Sequence, residues 1–299
     1  MSKIDNSKTI EYFEKREAAK LKKELIKISK LEKYLKKEYK KTLDAISKEV
    51  AFLMSKYATD NNLTYDEANK LLTSKEFKEF RYDLKTYIKL IEETGDEALL
   101  LELNTLSMKK RISRLEHIYY QVDKLVDELI ETSENSLQML FTDTLINNYY
   151  ETMYDIHKYM GIAASFSLVD DKLIKDILSY PWSGRDYSKR IWSNRTKLKE
   201  ALREELTQMC IQGKGIKETS KALSKRLNAH YKNCERLIHT EHSYIITQAS
   251  QKAYEETGLE KYQILATLDN RTSKMCQRLD GEVFYVKDGI VGKTLPPFH

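Results

Sequence analysis

Residues that break regular structure are scarce in this 299-residue chain, which holds nine Gly and three Pro, the first of them Pro181. Proline interrupts a helix interior and glycine weakens one, so their scarcity favours long uninterrupted helices. Cysteine is scarce as well. Cys210, Cys234 and Cys276 are odd in number, far apart and without a C-x-x-C pair, which argues against a disulfide framework and for a reducing compartment. No stretch approaches the roughly 18 apolar residues of a membrane-spanning helix. The opening Met-Ser-Lys-Ile-Asp-Asn lacks the apolar segment of a signal peptide. The expectation is a soluble protein made inside the cell, with no membrane partner.

What is present is a 41% hydrophobic and 32% charged composition, enough for a true core and unlike that of a disordered chain. The net charge of +5 is small but uneven: residues 1–48 carry 15 Lys/Arg against 8 Asp/Glu. Lys22, Lys23, Lys36 and Lys37 are the candidate contacts to DNA phosphate or an acidic partner; the plainer reading is a solvated helix face.

Apolar residues at Leu21, Leu25, Ile28, Leu35, Tyr39, Ile46, Val50 and Leu53 step by threes and fours, predicting a helix from Thr9 to Lys56. Asp60-Asn61-Asn62 reads as a turn. Thr64 to Glu67 and Thr73 to Glu76 have capping-box spacing, the second opening a helix from Phe77 to Glu93. Further helices are predicted at Leu99–Glu131, Ser136–Met160, Asp170–Ser179, Asn194–Gln212, Lys217–Asn228 and His230–Thr257. The tyrosines of the second of these (Tyr149, Tyr150, Tyr154 and Tyr159) read as packing residues. Gly213-Lys-Gly215 is a helix end and turn, because a phosphate loop needs a longer pattern after a strand. Strand patterns emerge only at Tyr262–Leu268 and Glu282–Val286, the latter after the turn signal Leu279-Asp280-Gly281. The predicted fold is mostly α, a long-helix body followed by a small α+β C-terminal domain containing a β-hairpin. Its divisions are a basic long helix (1–60), a helical body (61–179) and a C-terminal domain (180–299).

Residues able to carry chemistry gather late in the chain. His239 and His242 lie three apart with Glu241 between them, whereas the helical zinc signature spaces its histidines four apart; a structural role is the better reading. Arg236 and Glu241 are candidate partners for the polar segment that follows, with Arg271 able to fork onto Glu241. Asp269 suits an Asx turn or helix cap. Cys276 and His299 could be two ligands of a structural zinc whose other ligands the sequence does not supply. As a nucleophilic pair they lack an orienting third residue.

Four ordered stretches resemble a known family. They are Arg236-Leu-Ile-His-Thr240-Glu241, Ala266-Thr-Leu-Asp269-Asn-Arg271-Thr272-Ser-Lys-Met-Cys276, Leu279-Asp280-Gly281-Glu-Val-Phe, and Gly292-Lys-Thr-Leu-Pro296-Pro297-Phe-His299. Together with Pro181-Trp-Ser-Gly-Arg-Asp upstream, the chain resembles the phage head morphogenesis family, minor head (minor capsid) proteins similar to the F protein of phage Mu. The family often has Arg where this chain has His239. The resemblance implies a prophage or phage protein of the procapsid interior, assembled in the bacterial cytoplasm. It implies association with the portal protein and with capsid or scaffold proteins, non-specific DNA binding, and no cofactor or enzymatic activity. The competing readings are a metal-dependent nuclease or hydrolase using His239, Glu241, Asp269, Cys276 and His299, and a carrier related to family members fused to effector domains.

Overall fold

The computed structural model describes residues 6–60, 93, 108–163, 168–212, 215–266 and 272–298. The capping boxes at Thr64 and Thr73 and the helix Phe77–Glu93, save Glu93 itself, lie outside the described residues. Four long helices dominate: α1 (Asn6–Asp60), α2 (Met108–Met160), α4 (Tyr187–Gln212) and α5 (Ile216–Glu256), with the short α3 (Asp171–Ser179) between α2 and α4. The chain closes with β1 (Lys261–Gln263), α6 (Lys274–Leu279), β2 (Val283–Tyr285) and a 3₁₀ turn over Val286–Asp288. A mostly helical protein with a small antiparallel strand pair is the observed class.

Two predicted breaks are absent. The stretch Thr132 to Asn135 stays inside α2, and Asn228-Ala229-His230 stays inside α5. Neither contains Gly or Pro, and in both the buried stripe continues in phase. In α2 it runs Ile130, Ser133, Leu137, Phe141; in α5 it runs Leu227, Tyr231, Cys234, Leu237. Polar residues alone do not end a helix whose apolar face is already committed to a core. The short helix α3 falls as predicted, with Asp170 Oδ1 accepting the Leu173 N–H at 2.7 Å as its N-cap.

The described residues divide into two units, each drawn from separate stretches. The unit of residues 35–132 and 192–232 is a set of helix segments around one apolar core. Leu35, Tyr39, Ile46 and Val50 come from α1, Ile118, Val122 and Val126 from α2, Leu198, Leu202 and Leu206 from α4, and Leu223 and Leu227 from α5. Fully burying each such side chain contributes about 1.5–3 kcal/mol. Its α2 and α4 segments run antiparallel, as Arg195 pairs with Asp127 (3.0 Å) while Arg203 pairs with Asp123. Tyr39 Oη lies 2.7 Å from His230 Nδ1, with the Tyr231 ring edge-on to Tyr39. Burial holds the His230 imidazole down at about 4, against an opposing backbone hydrogen bond with Asn194.

The unit of residues 1–34, 133–191 and 233–299 packs differently. Its α2 and α5 segments supply an apolar core through Leu137, Phe141, Leu145, Tyr149, Ile238, Ile245 and Ala249. Its α1 segment, however, faces them with charge. Arg16 pairs with Asp155 at 2.6 Å, Lys20 donates to Thr152 Oγ1 at 3.0 Å, and Lys27 pairs with Asp143 at 2.7 Å. Glu24 accepts from Thr144 (2.8 Å) and Lys27 (2.7 Å) and lies 2.9 Å from His242 Nε2. Burial alone would raise the Glu24 carboxyl, but the hydrogen bonds from His242, Lys27 and Thr144 outweigh it and hold it at about 2. Leu21 and Leu25, read as part of the apolar stripe, are exposed, and Lys20 and Glu24 take the buried positions. The tyrosines of α2 are divided. Tyr149 is buried and donates to Glu256, Tyr150 accepts the Val169 N–H, and Tyr154 is exposed.

Candidate functional site

The candidate site lies within the unit of residues 1–34, 133–191 and 233–299 and has two parts. The first centres on Glu241 of α5, whose side chain is almost wholly buried. The Tyr180 to Gly184 turn lays Trp182 beside it, and the indole Nε1–H donates to Glu241 Oε2 at 3.0 Å. Gly184 takes φ +92°, a backbone state open mainly to glycine, which lets the turn reverse into α4. Asp186 then caps α4 by accepting the Lys189 N–H at 2.8 Å. One turn on, Arg190 points back: its guanidinium is 3.4 Å from Glu241 Oε1, lies over the Trp182 ring at 5.8 Å, and donates to the Ser183 carbonyl at 3.2 Å. Trp182 is stacked on Tyr244, one turn beyond Glu241, with ring centroids 5.4 Å apart. Burial raises the Glu241 carboxyl above its ordinary range, and the Trp182 hydrogen bond and the Arg190 charge only partly offset it. The cation facing Glu241 is therefore Arg190; Arg271, the predicted partner, lies outside the described residues, as do Asp269 and His299.

The second part is the folded knot after α5. β1 and β2 pair antiparallel, with Lys261 opposite Tyr285, Tyr262 opposite Phe284 and Gln263 opposite Val283. The connection is longer than a tight hairpin and carries α6, capped by Ser273, whose Oγ accepts the Cys276 N–H at 3.1 Å and donates to Cys276 Sγ at 3.2 Å. Thr272 accepts from Gln277 at its carbonyl. Asp280 and Gly281 turn the chain from α6 into β2. Asp280 Oδ1 accepts the Ala266 N–H at 2.8 Å, and Gly281, at φ +80°, donates to the Ile264 carbonyl at 2.9 Å. On the inner face Tyr262 lies between Tyr254 of α5 and Phe284, and its hydroxyl donates to the Thr294 carbonyl at 2.9 Å. Gln251 of α5 donates to the Val286 carbonyl at 2.5 Å, and Leu295 and Pro297 are buried, with a cis bond between Pro296 and Pro297.

The remaining motif residues do other work. Arg236 is exposed and donates to Asn233 at 3.3 Å, and Thr240 is half-buried. His239 lies 2.8 Å from Glu32, and His242 is engaged by Glu24, so the two imidazoles meet separate carboxylates on α1. Among the described residues no group of three or more His, Cys, Asp or Glu is placed to hold a metal ion. On α1, Lys22, Lys36 and Lys37 are exposed and make no ion pair among the described residues, whereas Lys23 pairs with Glu151 at 2.9 Å. Gln251 and Tyr262 escaped the reading of the sequence, as did the pairing of Trp182 and Arg190 with Glu241. Only the grouping of Trp182 and Arg190 in one short motif hinted at a shared role.

Residues 200–299 match the family model described as Phage Mu protein F like protein. Over 210 residues the chain is 23% identical to a protein of Enterococcus faecalis (strain ATCC 700802 / V583) named NAD(+)--arginine ADP-ribosyltransferase EFV. That match takes in 69% of this chain but 42% of the relative, so the chain spans less than half the length of the protein it resembles. No solved structure matches the chain. Among the described residues no helix is long and apolar enough to cross a membrane. The residues that match the Phage Mu protein F like model take in the end of α4, the whole of α5, including Glu241, and the knot described above.

Proposed function

We propose that this chain is a minor head protein of a phage or prophage. It acts in procapsid and head assembly in association with the portal, and it contacts packaged DNA without sequence preference. The family match supports the head-assembly reading. One structural observation supports the DNA contact: most cations of α4 are paired with carboxylates, and several on the outer face of α1 are not. Arg195 and Lys199 share Asp127, Arg203 takes Asp123, and Arg226 takes Glu205. Lys36, Lys37 and Lys40 stay exposed, without an ion pair among the described residues. Unpaired lysines on one helix face suit a phosphate backbone, and such binding is sequence-independent and falls with salt.

The reading is non-enzymatic. Of the residues a nuclease or hydrolase would draw on, Glu241 is engaged by Trp182 and Arg190, His239 by Glu32 and Cys276 by Ser273, while Asp269 and His299 lie outside the described residues. The transferase activity in the Enterococcus relative's name is not carried to this chain, which predicts no nicotinamide release from NAD⁺ in the presence of an arginine acceptor. Gel retardation of duplex DNA tests the DNA contact. Lys36→Glu, Lys37→Glu and Lys40→Glu together should lower the slope of log affinity against log salt by about 3. Retardation that the triple variant leaves unchanged would remove α1 as the DNA surface. DNA degradation on adding Mg²⁺ or Mn²⁺ would favour the nuclease.

A further inference from the structure

The first half of α1 has its polarity reversed. A helix of a soluble domain turns its apolar stripe to the core, yet over residues 8–34 the side chains of α1 that are buried are Lys20, Glu24 and Ile28. Its large apolar residues point outward: Leu21 is 43% exposed, Leu25 48% and Ile26 50%. The reversal follows from the charged seam to α2 and α5, where Arg16, Lys20, Glu24 and Lys27 meet Asp155, Thr152, Thr144, Asp143 and His242. Such a seam fixes which face turns inward but yields little more stability than well-packed apolar residues would. Having Lys20 and Glu24 inside and Leu21 and Leu25 outside therefore serves the outer face.

That face has a definite chemistry. Leu21 and Leu25 lie one turn apart in a row with Ala18, and Lys22 and Ile26 form the adjacent row, which Lys30 and Lys33 continue. Lys22, Lys30 and Lys33 are exposed and make no ion pair among the described residues. The patch is thus an apolar ridge with a basic rim. DNA would meet the lysines but leave the leucines in water. A second copy fits poorly. Parallel pairing sets Lys22, Lys30 and Lys33 each against itself, and neither row of the face carries a carboxylate to meet them; like charges so placed cost affinity. We propose that residues 18–33 of α1 dock, ridge into groove, on a different virion protein whose groove is apolar at its centre and acidic at its rim. The proposal rests on the head-assembly reading and gives that reading a surface.

The test uses the full chain and measures incorporation into procapsids of the encoding phage, with duplex-DNA retardation and the melting temperature of the isolated chain alongside. Leu21→Ser, Leu25→Ser and Ile26→Ser together should lower incorporation at least about tenfold and leave retardation and melting temperature unchanged. Reversing Lys22, Lys30 and Lys33 to Glu should also lower incorporation, and replacing them with Arg should retain it. Undiminished incorporation of the serine variant, with wild type present, overturns this proposal alone. So does a fall in its melting temperature, which would mean the chain covers its own ridge, or a wild-type dimer that the variant abolishes. Absence of the wild-type chain from procapsids overturns the head-assembly reading and this proposal with it.

Discussion

Replacing Trp182 with Phe isolates what holds the turn before α4 against α5. Phe keeps most of the stacking on Tyr244 but removes the indole N–H, the hydrogen-bond donor to Glu241 Oε2 at 3.0 Å. Glu241 is 3% exposed, and its other oxygen makes no hydrogen bond and has Arg190 at 3.4 Å. Stranding a buried acceptor costs about 1–3 kcal/mol, more when it is charged. Weakening the Arg190 contact with the ring adds roughly 0.5 kcal/mol, so the expected loss is about 2–3 kcal/mol. The pH dependence has a fixed sign. Burial raises the Glu241 carboxyl above its unfolded value, so its contribution is fully present below the unfolded pKa and is lost as pH rises through the folded one. The Trp182→Phe penalty, which falls on the charged form, must therefore grow from pH 4.5 to pH 8. Glu241→Gln keeps an oxygen for the indole and should cost less than about 1 kcal/mol at pH 8. The double variant should fall short of additivity by at least about 1 kcal/mol. Urea denaturation followed by circular dichroism, with hydrogen exchange across Leu237 to Ala249, reads all three. A Trp182→Phe loss below about 0.5 kcal/mol, or one that does not change with pH, would refute the reasoning.

Two further outcomes follow from the packing. A Cβ on Gly289 would lie 2.7 Å from Leu295 Cδ1 and 3.2 Å from Gln251 Nε2; Gly289→Ala should therefore destabilise the knot by about 1–3 kcal/mol, seen as faster hydrogen exchange at Val286 without change at Leu202. The folded chain resists protonating His230 until about pH 4, whereas the unfolded chain takes that proton near the ordinary value of 6.5. Stability should thus fall between pH 6.5 and 4, by about 2 kcal/mol at pH 4.5 from this residue. In His230→Gln that part of the acid loss should vanish, and an unaltered urea-midpoint profile would contradict the assignment.

Local signals read well from the sequence and long-range ones did not. The cap at Asp170, the scarcity of Gly and Pro and the turn at Asp280-Gly281 each act within a few residues, so α3, the long helices and the entry to β2 were legible. The breaks predicted near Thr132 and Asn228 failed because the buried stripes of α2 and α5 pass through those polar residues in phase. Leu21 and Leu25 misled because hydrophobic spacing assumes that apolar means inward, and the charged partners on α2 that reverse the face lie more than a hundred residues away. Glu241 was legible as a motif residue, but its partners were not: Trp182 and Arg190 are 59 and 51 residues upstream, and nothing local announces the pairing.

The central claim is that this chain is a component of the phage head. Quantitative mass spectrometry of procapsids and mature heads, purified from cells in which the encoding phage or prophage is assembling, tests it most directly. The account predicts the chain in both particles, at a few copies per portal ring and far below the shell protein. Particles that assemble and package DNA without it, while the chain accumulates free in the lysate, would contradict the account.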